Sequence, residues 1–216
     1  MVILIAALLF AASFEPLGFW FSAPIAYALL LRTLVNSSHN PTLYLKVFLF
    51  AFISSALTLV WAGKYVGLLP LVFLALLHGL YYLPLAFLRK VTANVLWFLP
   101  AILLIDEARA RFPFSGFSWM RIAFSQADAP YLAVVSIGGV TLLSTWVLFI
   151  SLLLIKIRIR NTLYATLLIL TPLLLSHNPA KAGAITYAGV QGNTPSVGLA
   201  FNDRAKAVFN LHVQST

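Results

Sequence analysis

The chain has 216 residues, 62% of them hydrophobic and only 9% charged, with a formal net charge of +9 and no cysteine. Soluble domains carry about 25% charged residues and could not hide this much apolar surface, so a water-soluble globular fold is excluded. Disulfides, zinc–thiolate sites and a cysteine nucleophile within these residues are excluded as well. The basic balance is not read as a nucleic-acid footprint, because Lys and Arg sit mostly between apolar runs, where topology signals belong.

In chain order, apolar runs alternate with short polar breaks. The first run covers about residues 1–14 and stops at Glu15-Pro16; the second goes from Leu17 to Leu31. Each is short for a spanning helix of roughly 20 residues, so the pair is either two short helices or one helix broken at Pro16. No Lys or Arg precedes the first run, which argues against a secretory signal peptide. Further runs follow at 43–62, 67–88 and 91–107, then a longer, more polar stretch at 108–130, then runs at 131–155 and 161–176. The expectation is an all-α polytopic membrane domain over 1–176, with about seven spanning helices.

The tail, 177–216, changes character: Asn, Pro, Gly, Thr and charged residues appear at ordinary density. Residues 184–191, AITYAGVQ, read as a strand, followed by the turn Gly192-Asn193-Thr194-Pro195. Beyond it, Phe201, Ala205, Val208, Phe209 and His212 fall on one helical face. One strand and one helix cannot bury a core alone, so the tail is expected to pack on the membrane part or on further sequence.

Charge placement orients the chain. With a cytoplasmic N-terminus and seven crossings, Arg32, the pair Arg89-Lys90 and the cluster Lys156, Arg158, Arg160 fall in cytoplasmic loops, and the tail falls outside. The 108–130 loop then lies outside with Arg109, Arg111 and Arg121, for which Asp106, Glu107 and Asp128 are available partners; Lys64 lies outside too.

Several residues qualify as chemistry. His78 sits inside an apolar run beside Gly79 and Tyr81-Tyr82; an intramembrane ionisable group is either functional or makes one interhelical hydrogen bond. His39, His177 and His212 lie in polar segments without metal-ligand spacing, and neither metal nor cofactor is expected. Glu15-Pro16 is either a broken-helix site or a turn between short helices. The informative stretch is 107–130, EARARFPFSGFSWMRIAFSQADAP, whose polar content beside long apolar helices must face water or a headgroup. Arginines and an indole there either hold phosphate or glycerol groups of a lipid, or merely anchor an interfacial loop. Glu107 is expected to pair with a neighbouring arginine.

These pieces, in this order, resemble the N-terminal part of the apolipoprotein N-acyltransferases, bacterial inner-membrane enzymes of lipoprotein maturation. LLFAASFEPLGFWFSAPIAYALL resembles the family's opening helices. Glu107, then Gly116-Phe117-Ser118-Trp119, then Ser125-Gln126 resemble its E…GFPW…SQ loop, and Gly138-Gly139-Val140 and KIRIR follow in place. Gly189-Val190-Gln191-Gly192-Asn193-Thr194-Pro195 resembles the VQGN-x-P opening of its nitrilase-like domain. Ser118 replaces the usual proline, and the basic position three after the glutamate is Ala110, flanked by Arg109 and Arg111.

The resemblance implies acyl transfer in two stages. A cysteine thiolate takes an acyl chain from a phospholipid donor as a thioester, and the α-amine of an apolipoprotein's diacylglyceryl-cysteine then receives it. A glutamate acts as general base and a lysine stabilises the oxyanion. All three catalytic residues would follow Thr216, so the expectation is a truncated or split member, with a second chain carrying the rest of the nitrilase-like α/β domain that begins at 177. No catalytic residue is then expected within the 216. Trp119, Arg109, Arg111, Gln126 and Glu107 are expected to line the lipid-substrate entrance. The alternative is a non-catalytic membrane module: lipid-binding, channel or transporter.

Overall fold

The computed structural model describes residues 1–113, 115–156 and 158–174, together with 209–210 and 213–214. Hydrocarbon offers no partner for backbone N–H and C=O groups, so each apolar run closes its hydrogen bonds internally as a helix. The helices are α1 (Val2–Ala12), α2 (Ser22–Asn36), α3 (Pro41–Thr58), α4 (Val60–Tyr65), α5 (Leu68–Val91), α6 (Phe98–Arg109), α7 (Val135–Leu154) and α8 (Ile159–Leu170). Short 3-10 turns at Ile122–Gln126 and Leu132–Val134 punctuate the polar stretch. Among the described residues there is no strand.

The two readings of the N-terminus resolve into two helices, with Glu15-Pro16 in the turn between α1 and α2. Three segments are long and apolar enough to cross a membrane: Pro41–Thr58, Leu68–Val91 and Leu132–Leu154. The apolar helices Val2–Ala12 and Ile159–Leu174 are shorter. The strand read at 184–191 and the turn after it lie outside the described residues; of the tail helix, residues 209–210 and 213–214 are described and are helical.

Packing follows the small residues. Lipid tails are as apolar as side chains, so association rests on close van der Waals approach. On α1 the buried stripe is Ile3, Ala6, Ala7 and Phe10; on α2 it includes Ala23, Ala26, Tyr27, Leu30 and Leu34. On α5 it includes Ala75, His78, Gly79, Tyr82 and Ala86. A methyl group at Gly79 would lie 2.5 Å from the Phe48 ring of α3, so this glycine is what lets α3 and α5 approach. α3 packs on α5 and α1, α1 on α2, α2 on α7, and α7 on α8.

The contacts also sort the ends of the bundle. Gln126 donates to the Trp20 carbonyl at 3.3 Å, and the Trp20 and Tyr131 rings lie 5.7 Å apart, so α2 and α7 start side by side. Arg89 at the end of α5 reaches the Val35 carbonyl near the end of α2, and Arg32 and Lys46 border a cleft with the first residues of α1. Arg32, Lys46, Arg89 and Lys90 thus gather at one end, and α7 runs toward that end before Lys156, Arg158 and Arg160. At the other end, Trp61 lies 5.1 Å from Trp119.

α6 is decisive for the site. With 12 residues it is about 18 Å long, against about 36 Å for the 24-residue α5. It therefore stops near the middle of α5, and the following loop is packed into the bundle: Tyr81 donates to the Phe112 carbonyl at 2.6 Å.

Candidate functional site

The last turn of α6 carries Asp106, Glu107 and Arg109. Asp106 and Arg109 are three residues apart, hence on one helical face, and both are 5% exposed. Arg109 donates through Nη2 to Asp106 Oδ1 and to the Met120 carbonyl, both at 2.7 Å. Its Nη1 faces His78 Nε2 at 3.4 Å. A guanidinium only donates, so Nε2 is the acceptor and Nδ1 carries the hydrogen that bonds Ser55 Oγ of α3. His78 thus keeps the interhelical hydrogen bond expected of it and adds a second partner on α6. Beside it, the Tyr27 and Tyr82 hydroxyls share a 2.8 Å bond between α2 and α5.

A second layer faces outward. Arg121 lies with Nε 3.4 Å from Asp106 Oδ2 and also pairs with Glu107. Glu107 further accepts from Arg111 at 2.5 Å and from Thr141 of α7 at 3.1 Å. The expected pairing of Glu107 with a neighbouring arginine is therefore what the structure shows, twice over. Asp128, read as another partner, stands instead near Glu15, both beside Gly18. Two carboxylates and three guanidiniums join α6, the loop and α7, so the cluster itself carries one net positive charge.

The loop itself turns at Ser115 and Gly116, whose φ angles are 75° and 80°. Phe117 N–H then donates to the Arg109 carbonyl at 2.8 Å and closes the end of α6. This reversal brings up an aromatic rim, Phe117 and Trp119 with ring centroids 6.4 Å apart and Trp61 against Trp119. Trp119 is 61% exposed. Between α5 and α6 an apolar groove of about 520 Å³, lined by Leu77, Leu80, Tyr81, Pro84, Leu104 and Ala108, ends beside this loop.

The five residues singled out from sequence thus separate by depth. Trp119 and Arg111 are exposed, Glu107 is partly covered, and Arg109 and Gln126 are buried. Gln126 is held by the Trp20 carbonyl, Ser125 and Tyr131. Ser55 and Thr141 were not singled out, and Asp106 was named only as an available partner for the loop arginines, which it proves to be. Asp106 was legible as an i,i+3 partner of Arg109; Ser55 and Thr141 carry no local signal, since their partners lie on other helices.

Comparison with known proteins matches most of the chain. The family model described as "Apolipoprotein N-acyltransferase N-terminal domain" matches residues 6–153. These residues run from α1 to the end of α7 and include the ion-pair cluster and the loop. An apolipoprotein N-acyltransferase from Mycolicibacterium smegmatis is 31% identical, the alignment covering 94% of this chain and 40% of that protein. The chain thus spans about two-fifths of the length of the curated relative it matches.

Proposed function

We propose a function from one premise: the chain belongs to the apolipoprotein N-acyltransferase family. It is a membrane protein, and its residues 1–176 serve as the platform for a phospholipid-dependent N-acyl transfer to the diacylglyceryl-cysteine of bacterial lipoproteins. The site of action is the bacterial inner membrane. The platform crosses seven times, α1, α8 and α6 with the loop that follows it included, and 177–216 begin an extracytoplasmic nitrilase-like α/β domain. In the first stage a cysteine sulfur bonds the acyl carbon and the lysophospholipid leaves; in the second the amine nitrogen bonds that carbon and the thiol leaves. The 216 residues hold no cysteine, so the thioester forms on residues outside them. What this chain supplies is binding and orientation of the lipid substrates.

The observation that supports this reading is the aromatic rim set on a rigid charged base. Trp119 and Arg111 line the lipid entrance, an acyl chain lies in the α5–α6 groove, and Glu107, Arg109 and Gln126 hold the loop from behind. Misplacement of a substrate by about 1 Å can cost on the order of a hundredfold in rate. Buried supports therefore matter as much as exposed contacts.

The test supplies the nitrilase-like part with this chain in a reconstituted membrane and follows thioester formation from a labelled phospholipid. Trp119→Ala and Arg111→Ala should slow it at least about tenfold, and Arg109→Ala further, since it undoes the loop's anchor. Unchanged rates with normal insertion would reduce the loop to a scaffold. No thioester with the unaltered chain would favour the non-catalytic membrane module. Topology is tested separately by thiol labelling of Arg158→Cys and Asn193→Cys. With no native cysteine the background is clean, and labelling of both from one side would rule out seven crossings.

A further inference from the structure

At the end of the bundle away from Trp119, α1, α2 and α3 enclose a cleft of about 500 Å³. Arg32 and Asn36 of α2 and Lys46 of α3 border it, the first turn of α1 closes it, and Leu49 and Ile53 continue it along α3. Among the described residues these charges have no ion-pair partner. The carboxylates among those residues are Glu15, Asp106, Glu107 and Asp128, and none forms an ion pair with Arg32 or Lys46. No side chain among the described residues caps α1, so the N–H groups of its first turn add a partial positive charge on the same cleft.

Depth says what kind of anion fits. Lys46 lies inside the membrane-crossing helix Pro41–Thr58, not beyond it. Leu49 and Ile53 follow at i+3 and i+7, directly deeper along the same face. A soluble anion would fill only the charged mouth and leave this apolar wall uncovered. A molecule with an anionic head and a hydrocarbon tail matches both parts, and basic pockets between spanning helices are where such headgroups bind. We propose that this cleft is a binding site for an anionic phospholipid, its phosphate on Arg32 and Lys46 and one acyl chain along Leu49 and Ile53. The site is separate from the acyl-transfer face and does not depend on the reaction proposed for it.

The experiment titrates the full purified chain in detergent with phosphatidylglycerol and with phosphatidylcholine and counts bound lipid by native mass spectrometry. Phosphatidylglycerol should be retained in preference to phosphatidylcholine. Arg32→Gln and Lys46→Gln should each weaken its binding about fivefold, and the double variant about 25-fold. Lys90→Gln makes the same charge change at the same end but outside the cleft and should leave affinity unchanged. Ile53→Trp changes no charge and should weaken binding by blocking the tail, which keeps the test informative if a charge variant folds poorly. Equal losses in Lys90→Gln and Arg32→Gln would overturn the site in favour of general surface attraction. Displacement of the lipid by excess inorganic phosphate, or full affinity in the double variant, would overturn it as well.

Discussion

Asp106→Ala is expected to destabilise the fold by about 3–5 kcal/mol, because it leaves buried guanidinium charge without its carboxylate. The magnitude follows from burial: the Asp106 and Arg109 side chains are both 6% exposed, and Arg121 approaches the second Asp106 oxygen. Surface ion pairs contribute about 0–1 kcal/mol because water competes for both partners, and that competition is absent here. The effect should also travel. Arg109 holds the Met120 carbonyl, so its release should free Trp119 from Trp61, visible as a change in tryptophan emission. The measurement is the unfolding midpoint in detergent for Asp106→Ala, Arg109→Ala and the paired change Asp106→Leu with Arg109→Met. Removing both charges together should be far less costly than removing one. A loss under about 1 kcal/mol for Asp106→Ala would mean that water reaches the pair and that the cluster is not the loop's anchor.

Gly116→Ala is expected to disrupt the same loop from its backbone. A methyl group there would lie 2.2 Å from the Ala110 carbonyl carbon and 2.3 Å from the Arg111 nitrogen. Those are backbone atoms at the end of α6, with no rotamer to move aside. The residue also holds φ near +80°, where a Cβ is strained. Strain of that kind costs about 1–3 kcal/mol before the overlap is counted. The expected result is loss of the Phe117-to-Arg109 hydrogen bond, cleavage of the 110–121 loop by added protease, and an altered Trp119 environment. Ser118→Ala, two residues away with no side-chain bond among the described residues, is the control. A protease-resistant Gly116→Ala protein with unchanged emission would show that the loop does not depend on this close approach.

Much of the fold was legible because hydrocarbon imposes a simple rule. Apolar runs beside so few charges read as helices, so their order and approximate limits could be read directly. Glu107 among arginines could be read as paired, since an unpaired carboxylate beside a membrane is costly. Other features were not legible. The choice between one and two helices at Glu15-Pro16 turned on how α1 and α2 pack on each other. Arg109 and Arg111 look alike in sequence, two positions apart, yet one is buried and the other exposed. That difference is set by the helical phase at the end of α6 and by its stopping beside the middle of α5.

The sequence by itself therefore determined that this is a helical membrane protein of the acyltransferase family, where its basic loops fall, and which stretch carries its polar chemistry. These follow from composition and order along the chain, which need no knowledge of what touches what. Only the tertiary structure decided that His78 bridges Ser55 and Arg109, that Asp106 is the centre of the ion-pair cluster, and that Arg32 and Lys46 share one cleft. The first and last of these join residues on different helices, and the second joins the end of α6 to the loop that folds back on it. Their proximity depends on crossing, depth and rotation of packed helices, none of which leaves a mark in local sequence.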